Sequence, residues 1–134
     1  MYLHVEGLNM SQAFHRSVDK YPDQIAQLFN PDLYYGDNNG VFTWKEVRAR
    51  VEKIACGLLA LGVGKKDRVA IMAPNSPYWT HVDIAVINCA AVLVTIYPTL
   101  SVNEASYIVN DSESGILFVG NQEILNTVLP GLDQ

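Results

Sequence analysis

Residues 43–73 read TWKEVRARVEKIACGLLALGVGKKDRVAIMA, and this stretch decides the fold. Thr43 and Glu46 stand three apart, the pattern of a capping box. Hydroxyl and carboxylate there each satisfy a backbone N–H that the first helical turn leaves over. Trp44, Val47, Val51, Ile54, Leu58 and Leu61 follow in steps of three and four, one continuous buried face of a helix. Gly62 supplies its C-terminal stop. Arg68–Ala73 is then a short apolar strand.

The same alternation continues towards the C-terminus. Pro74-Asn75-Ser76-Pro77 is a turn that starts a second helix, with Ser76 as cap and Pro77 in the first helical position. That helix runs to Cys89 or Ala90. Val92–Ile96 is an unbroken apolar strand, as expected where both faces are covered. Ser101-Val102-Asn103-Glu104 is another capping box, and Val102, Ala105, Ile108 and Val109 line the helix it opens. Ile116–Val119 is a third apolar strand. Asn121 begins a last helix with Ile124, Leu125, Val128 and Leu129 inward, stopped by Pro130-Gly131.

Upstream, Asn9 caps a short helix with Gln12 at its third position, and Met10, Phe14 and Val18 share one face. Tyr21-Pro22-Asp23 ends it. Ile25–Phe29 and Val41–Thr43 read as partner strands, because Asn39-Gly40 tolerates the positive φ of a hairpin turn. The tip between them, through Leu33-Tyr34-Tyr35 and Gly36-Asp37-Asn38, is elaborated. The fold class is therefore α/β: an N-terminal antiparallel hairpin followed by a mostly parallel sheet flanked by helices.

Composition narrows the function classes. The chain has 134 residues, 49% hydrophobic and 17% charged, with a net charge of −5. That is long enough for one packed domain and unlike a disordered chain. Nucleic-acid binding is not expected without a basic face. No apolar run reaches the length of a transmembrane helix. Met1-Tyr-Leu-His-Val-Glu-Gly7 lacks the pattern of a secretory signal, so the expected compartment is the cytoplasm.

Local chemistry is sparse. Cys56 and Cys89 lie in apolar stretches, far apart, and read as buried reduced thiols. His4, His15 and His81 form no metal-ligand spacing with each other or with cysteine. His81 reads as a surface or packing residue. In open α/β sheets ligands bind at the carboxyl ends of strands. Those ends are Ala73-Pro74-Asn75, Tyr97-Pro98-Thr99 and Gly120-Asn121. None offers a paired carboxylate, a Cys-His couple, a Ser-His-Asp set or the acids of a phospho-receiver. Gly62-Val63-Gly64 and Gly57–Gly62 imitate phosphate-loop glycines, but within and after a helix rather than between strand and helix. They read as a helix stop and a turn. No catalytic and no metal residue is assigned.

Six segments in order resemble the adenylate-forming enzymes: acyl-CoA synthetases, luciferases and nonribosomal-peptide adenylation domains. Phe42–Val47 is similar to their T-[WY]-x-E-[LV] opening. Gly57–Ile71 resembles G-L-x-x-L-G-V-x-x-G-D-x-V-A-I, and Ala73–Trp79 resembles x-x-N-x-P-E-[WF]. Ile96–Ser101 resembles the I-Y-P-T-x-S of the long-chain fatty acyl-CoA synthetase branch. Tyr107–Ser112 and Leu117–Gly120 complete the series, and Tyr21-Pro22-Asp23 also fits. The sequence departs at Ala90 and Lys66, where the family pattern has glycine, and at Thr95, often proline.

The resemblance implies that 1–134 is the N-terminal portion of the large N-terminal domain of such an enzyme, with no complete second domain. The implied reaction uses ATP and Mg²⁺ to activate a fatty acid as its adenylate, then passes the acyl group to CoA. The family's Thr/Ser/Gly-rich phosphate loop, its later acidic and aromatic residues and its C-terminal lysine do not occur in this sequence, so the chain alone is expected to be an inactive scaffold. In related CoA ligases the pantetheine arm passes near the turn aligned with Tyr97-Pro98-Thr99. The plainer role of that turn is to start a helix. Fatty acid, ATP and CoA are the implied partners through the rest of the enzyme. Peripheral contact at the inner membrane surface and homo-oligomerisation are both compatible with the sequence. The alternative is a stand-alone α/β module that binds a small molecule or a protein without catalysis.

Overall fold

The computed structural model describes residues 7–33 and 38–132. The hairpin tip at 34–37 and the segment 1–6, where no secretory signal was read, lie outside them. Among the described residues, twelve elements follow one another. They are α1 (Met10–Lys20), β1 (Ile25–Leu28), two 3-10 turns, β2 (Val41–Thr43), α2 (Trp44–Ala60), β3 (Arg68–Met72), α3 (Pro77–Asn88), β4 (Val92–Ile96), α4 (Val102–Asp111), β5 (Ile116–Val119) and α5 (Gln122–Leu132). β1 and β2 pair antiparallel; the other three strands form a parallel sheet in the order β4-β3-β5.

The central strand organises the core. Successive side chains of a strand point to opposite faces. Val69 and Ile71 pack with Val47, Val51, Leu58, Val82 and Val86 under α2 and α3. Ala70 and Met72 pack with Ala105, Val109, Ile124 and Val128 under α4 and α5. All four of these β3 residues are buried. β3 is therefore covered on both faces. The expectation of two covered faces, made for Val92–Ile96, fails at β4, where Val92 is 49% exposed and Thr95 is also exposed. β4 is an edge strand, and an apolar run reads the same at an edge as at the centre.

Helix starts follow the capping boxes. Gln12 N–H donates to Asn9 Oδ1 at 2.9 Å, and Asn9 N–H to Gln12 Oε1 at 3.0 Å. Thr43 N–H donates to Glu46 Oε2 at 2.8 Å, and Ser101 N–H to Glu104 Oε2 at 2.9 Å. Both carboxyls are held below the ordinary glutamate range: Glu46 chiefly by the Thr43 backbone N–H, Glu104 chiefly by the Ser101 hydroxyl. A lowered folded-state pKa contributes stability above the unfolded value, lost as pH falls through the folded one. The stability of the chain is therefore expected to decline on acidification below that ordinary range. The double variant Glu46→Gln/Glu104→Gln should show a shallower decline in urea melts across an acid pH series.

Helix ends repeat one geometry three times. After α2, Gly62 N–H bonds Leu59 O and Val63 N–H bonds Leu58 O, both at 3.0 Å. After α3, Ala90 and Ala91 bond Ile87 and Val86; after α4, Glu113 and Ser114 bond Asn110 and Val109. Each arrangement needs a left-handed residue just past the cap. The φ values are +89° at Gly62, +56° at Ala90 and +51° at Glu113. Lys66 is also left-handed, at +72°. Both glycine departures noted in the sequence thus fall where a Cβ is strained. Replacing Ala90 with glycine is expected to stabilise the chain by about 1 kcal/mol, a rise of several degrees in Tm by calorimetry.

Several helix readings are corrected at their ends. Leu61 is the cap of α2 rather than part of its buried face and is 74% exposed. Met10, in the first turn of α1, turns outward, while Phe14 and Val18 are buried. Leu129 is exposed, whereas Ile124 and Val128 are buried and Leu125 is half-buried. α5 does not stop at Pro130-Gly131 but runs through them to Leu132. Pro130 forgoes the N–H bond to the Asn126 carbonyl, and only Gly131 and Leu132 of the helix follow it. Gly131 lets α5 approach α4: a Cβ there would lie 2.0 Å from Ser106 Oγ. The hairpin pairs as read, with β1 ending at Leu28 and Phe29 N–H bonding Gly40 O at 2.9 Å. Asn39 and Gly40 adopt φ of +39° and +80°.

Candidate functional site

The carboxyl ends of the three parallel strands come together at one edge of the sheet. β3 delivers Ala73-Pro74-Asn75, β4 delivers Tyr97-Pro98-Thr99, and β5 delivers Gly120-Asn121. Two grooves form there. The first, about 500 Å³, lies between the ends of β3 and β4 and is lined by Asn75, Trp79, Thr95, Tyr97, Pro98 and Thr99, among others. The second, about 520 Å³, lies between the ends of β3 and β5 and includes Ile71, Phe118, Gly120 and Asn121 in its lining. Ala73, Pro74 and Trp79 belong to both and form the shared wall.

Local structure fixes these positions. Ser76 Oγ accepts the Trp79 N–H at 3.1 Å, so the α3 cap sets Trp79 against the wall. Gly120 N–H extends the β3–β5 ladder by bonding Met72 O at 3.0 Å. A Cβ on Gly120 would lie 2.6 Å from Pro74 Cδ and 2.9 Å from Ala73 Cβ, so only glycine allows this approach. Asn121 Oδ1 accepts the Ile124 N–H at 2.8 Å and starts α5. Tyr97 O accepts the Leu100 N–H at 3.2 Å in the turn before Ser101 opens α4. The turn thus does start a helix, and it also lines the first groove, with Tyr97 78% exposed.

Sequence reasoning placed Tyr97, Pro98 and Thr99 here but did not mark Trp79 or Thr95 as site residues. The available signals were an aromatic just inside a capped helix start and one hydroxyl in an apolar strand. The remaining candidates are not brought to the grooves. His81 is buried, with Nε2 2.8 Å from Gln27 Oε1 and its ring against Phe42, a packing role in the interior rather than at the surface. Cys89 is buried and donates to Ala55 O at 3.7 Å; burial pushes its thiol up. Cys56 is exposed, which corrects its reading as a buried thiol: it lies off the face of α2 that carries Val47, Val51 and Leu58. The imitation phosphate loops are a helix interior at Gly57, a helix stop at Gly62 and a turn in which Gly64 N–H bonds Asp67 Oδ2 at 2.7 Å.

The charge distribution limits what the grooves hold. Residues 69–134 contain no lysine and no arginine, and every strand end lies in that stretch. A triphosphate receives no cationic side chain from it. Among the described residues, no group of three or more His, Cys, Asp or Glu is placed to hold a metal ion. The strand-end residues therefore do not fit ATP phosphates or Mg²⁺. The first groove is walled by Trp79, Tyr97 and Pro98, with hydroxyls from Thr95 and Thr99. No helix among the described residues is long and apolar enough to cross a membrane.

Comparison with known proteins gives the same frame. The profile of the family described as AMP-binding enzyme matches residues 14–133. Fatty acyl-CoA synthetase A of Dictyostelium discoideum is 32% identical over 96 residues, covering 69% of this chain and 14% of that protein. Long-chain-fatty-acid–CoA ligase heimdall of Drosophila melanogaster is 28% identical over 110 residues, covering 82% of this chain and 16% of that protein. A solved structure of a long-chain-fatty-acid-CoA ligase (FadD1) from Archaeoglobus fulgidus shares the fold, with a TM-score of 0.87 at 23% identity. That match covers 98% of this chain and 26% of the other. The chain spans about a quarter or less of the length of these proteins. With the family profile running across nearly all of its elements, from α1 to α5, the chain belongs to the AMP-binding enzyme family.

Proposed function

We propose that residues 1–134 form the N-terminal portion of the large domain of an ATP-dependent long-chain fatty acid–CoA ligase. In this reading the chain is scaffold, and the rest of the enzyme supplies the groups that hold nucleotide and metal. The observation that carries it is the family match over residues 14–133 on a fold whose strand ends form a groove without cations. Long-chain specificity is supported by the Ile96–Ser101 resemblance and by the relatives named above as fatty acyl-CoA and long-chain ligases. ATP with Mg²⁺ supplies the chemistry of the first half-reaction, replacing a poor leaving group on the fatty acid by AMP, which the CoA thiol then displaces. The part of this chain in that sequence is positional: β4 and its following turn set Tyr97, Pro98 and Thr99 along the path of the pantetheine arm.

The test uses the whole enzyme that contains this chain. Long-chain fatty acid, ATP, Mg²⁺ and CoA are expected to yield acyl-CoA, AMP and pyrophosphate, with acetate a poor substrate. Thr99→Trp is expected to slow thioester formation by about tenfold or more while leaving fatty-acid-dependent pyrophosphate exchange in place. An unchanged thioester rate would restrict the turn to starting α4. The 134-residue chain alone is expected to show no saturable heat with ATP in calorimetry.

A further inference from the structure

A third cavity lies away from the strand ends and shares no lining residue with the two grooves. It is a cleft of about 300 Å³ between α1 and α3, floored by β1 and the start of α2. Phe14, Ala26, Trp44, Val47, Ile84 and Ile87 supply most of its wall. α1 lines the cleft with Met10, Ser11 and Phe14 and with the small Ala13 and Ser17, and β1 adds the small Ala26.

The polar groups on the wall are mostly engaged already. Ser11 Oγ donates to Asn88 Oδ1 at 2.6 Å, latching α1 to the end of α3. Ser17 Oγ donates to Ala13 O at 2.9 Å, and Gln27 Oε1 lies 2.8 Å from His81 Nε2. Thr80 contributes one more hydroxyl. No Asp, Glu, Lys or Arg lines the cleft. A charged ligand would lose its hydration there with nothing to replace it.

We infer that the α1–α3 cleft is a binding site for a small, neutral, hydrocarbon-rich molecule with at most one hydroxyl group. At roughly 30 Å³ for each heavy atom, as for liquid water, it accommodates about ten. The size is at the lower end for small-molecule pockets and the apolar lining is typical of them. The ligand class differs from the fatty acid of the proposed reaction, whose head is a carboxylate that this wall rejects.

The test is displacement of the neutral fluorophore 2-naphthol, of about eleven heavy atoms, from the 134-residue chain. Saturable binding is expected, reversed by decan-1-ol, with decanoate about tenfold weaker or worse. Ala13→Phe fills the cleft and is expected to reduce decan-1-ol affinity about tenfold or more while the circular dichroism spectrum is retained. If that variant loses its helical spectrum, Ile87→Ala decides: a widened cleft should shift the best alkanol to a longer chain. The inference is overturned by non-saturable binding, by decanoate equal to decan-1-ol, or by an alkanol preference that Ile87→Ala leaves in place. It is also overturned if Ala13→Phe abolishes a concentration-dependent self-association, because a second copy of the chain would then be the occupant.

Discussion

Replacing Phe42 with alanine is expected to lower the stability of the chain by about 3–5 kcal/mol. Phe42 sits on β2, fully buried, and joins the hairpin to the helical layer. Its ring centroid is 4.8 Å from that of Phe29 and 5.4 Å from that of His81. The Arg50 guanidinium lies over the ring at 4.3 Å. Truncation removes all three contacts at once and leaves a cavity among rigid neighbours, which is the costly case. Single domains hold only about 5–15 kcal/mol in total, so the loss is a large share. Urea denaturation reads it. A lower midpoint with an unchanged slope means a cavity in an intact fold, and a shallower slope means that the hairpin has come away. A loss below about 1 kcal/mol would show that Phe42 does not anchor the hairpin.

The second large effect concerns the site itself. Gly120→Ala is expected to cost about 1–3 kcal/mol, because the new methyl must displace a backbone-anchored proline ring rather than a flexible side chain. The contacts at 2.6 Å to Pro74 Cδ and 2.9 Å to Ala73 Cβ involve the wall that divides the two grooves. Stability and groove geometry should therefore change together. A double-mutant cycle separates this clash from other causes. Pro74→Ala removes the nearer contact, so Gly120→Ala should cost less in its presence, with a coupling of about 0.5 kcal/mol or more. Strict additivity would show that the strand ends relax independently, without sharing a wall.

The elements most legible in the sequence were those that need two residue types at a fixed short spacing. Asn9/Gln12, Thr43/Glu46 and Ser101/Glu104 marked three helix starts, and Ser76-Pro77 marked a fourth. Apolar runs marked the strands, but a run cannot say whether its strand is central. Val92 and Thr95 are exposed because the order β4-β3-β5 puts β4 at the rim, and strand order is a property of the whole sheet. The exposed Met10, Leu61 and Leu129 lie at or near helix ends, where periodicity no longer dictates burial.

Of the site, the turn at Tyr97-Pro98-Thr99 was readable because it follows an apolar strand. Trp79 was not, since its place in both grooves depends on where α3 crosses the ends of β3 and β5. The α1–α3 cleft was beyond reach for a related reason. It is a space left by small side chains on separate elements, and no one segment shows it.

The central position of β3 also bears on synthesis. Its two ladders come from residues 68–119, and most of the two apolar layers that bury it from residues 44–132, with Phe14, Val18 and Phe42 added from upstream. As the chain leaves the ribosome at about 5–20 residues per second, α2, β3, α3 and β4 emerge together and can bury one face before β5 exists. Arrival of β5 and α5 then closes the other. The most protected amide hydrogens are accordingly expected to centre on Val69–Met72, buried on both faces of the sheet.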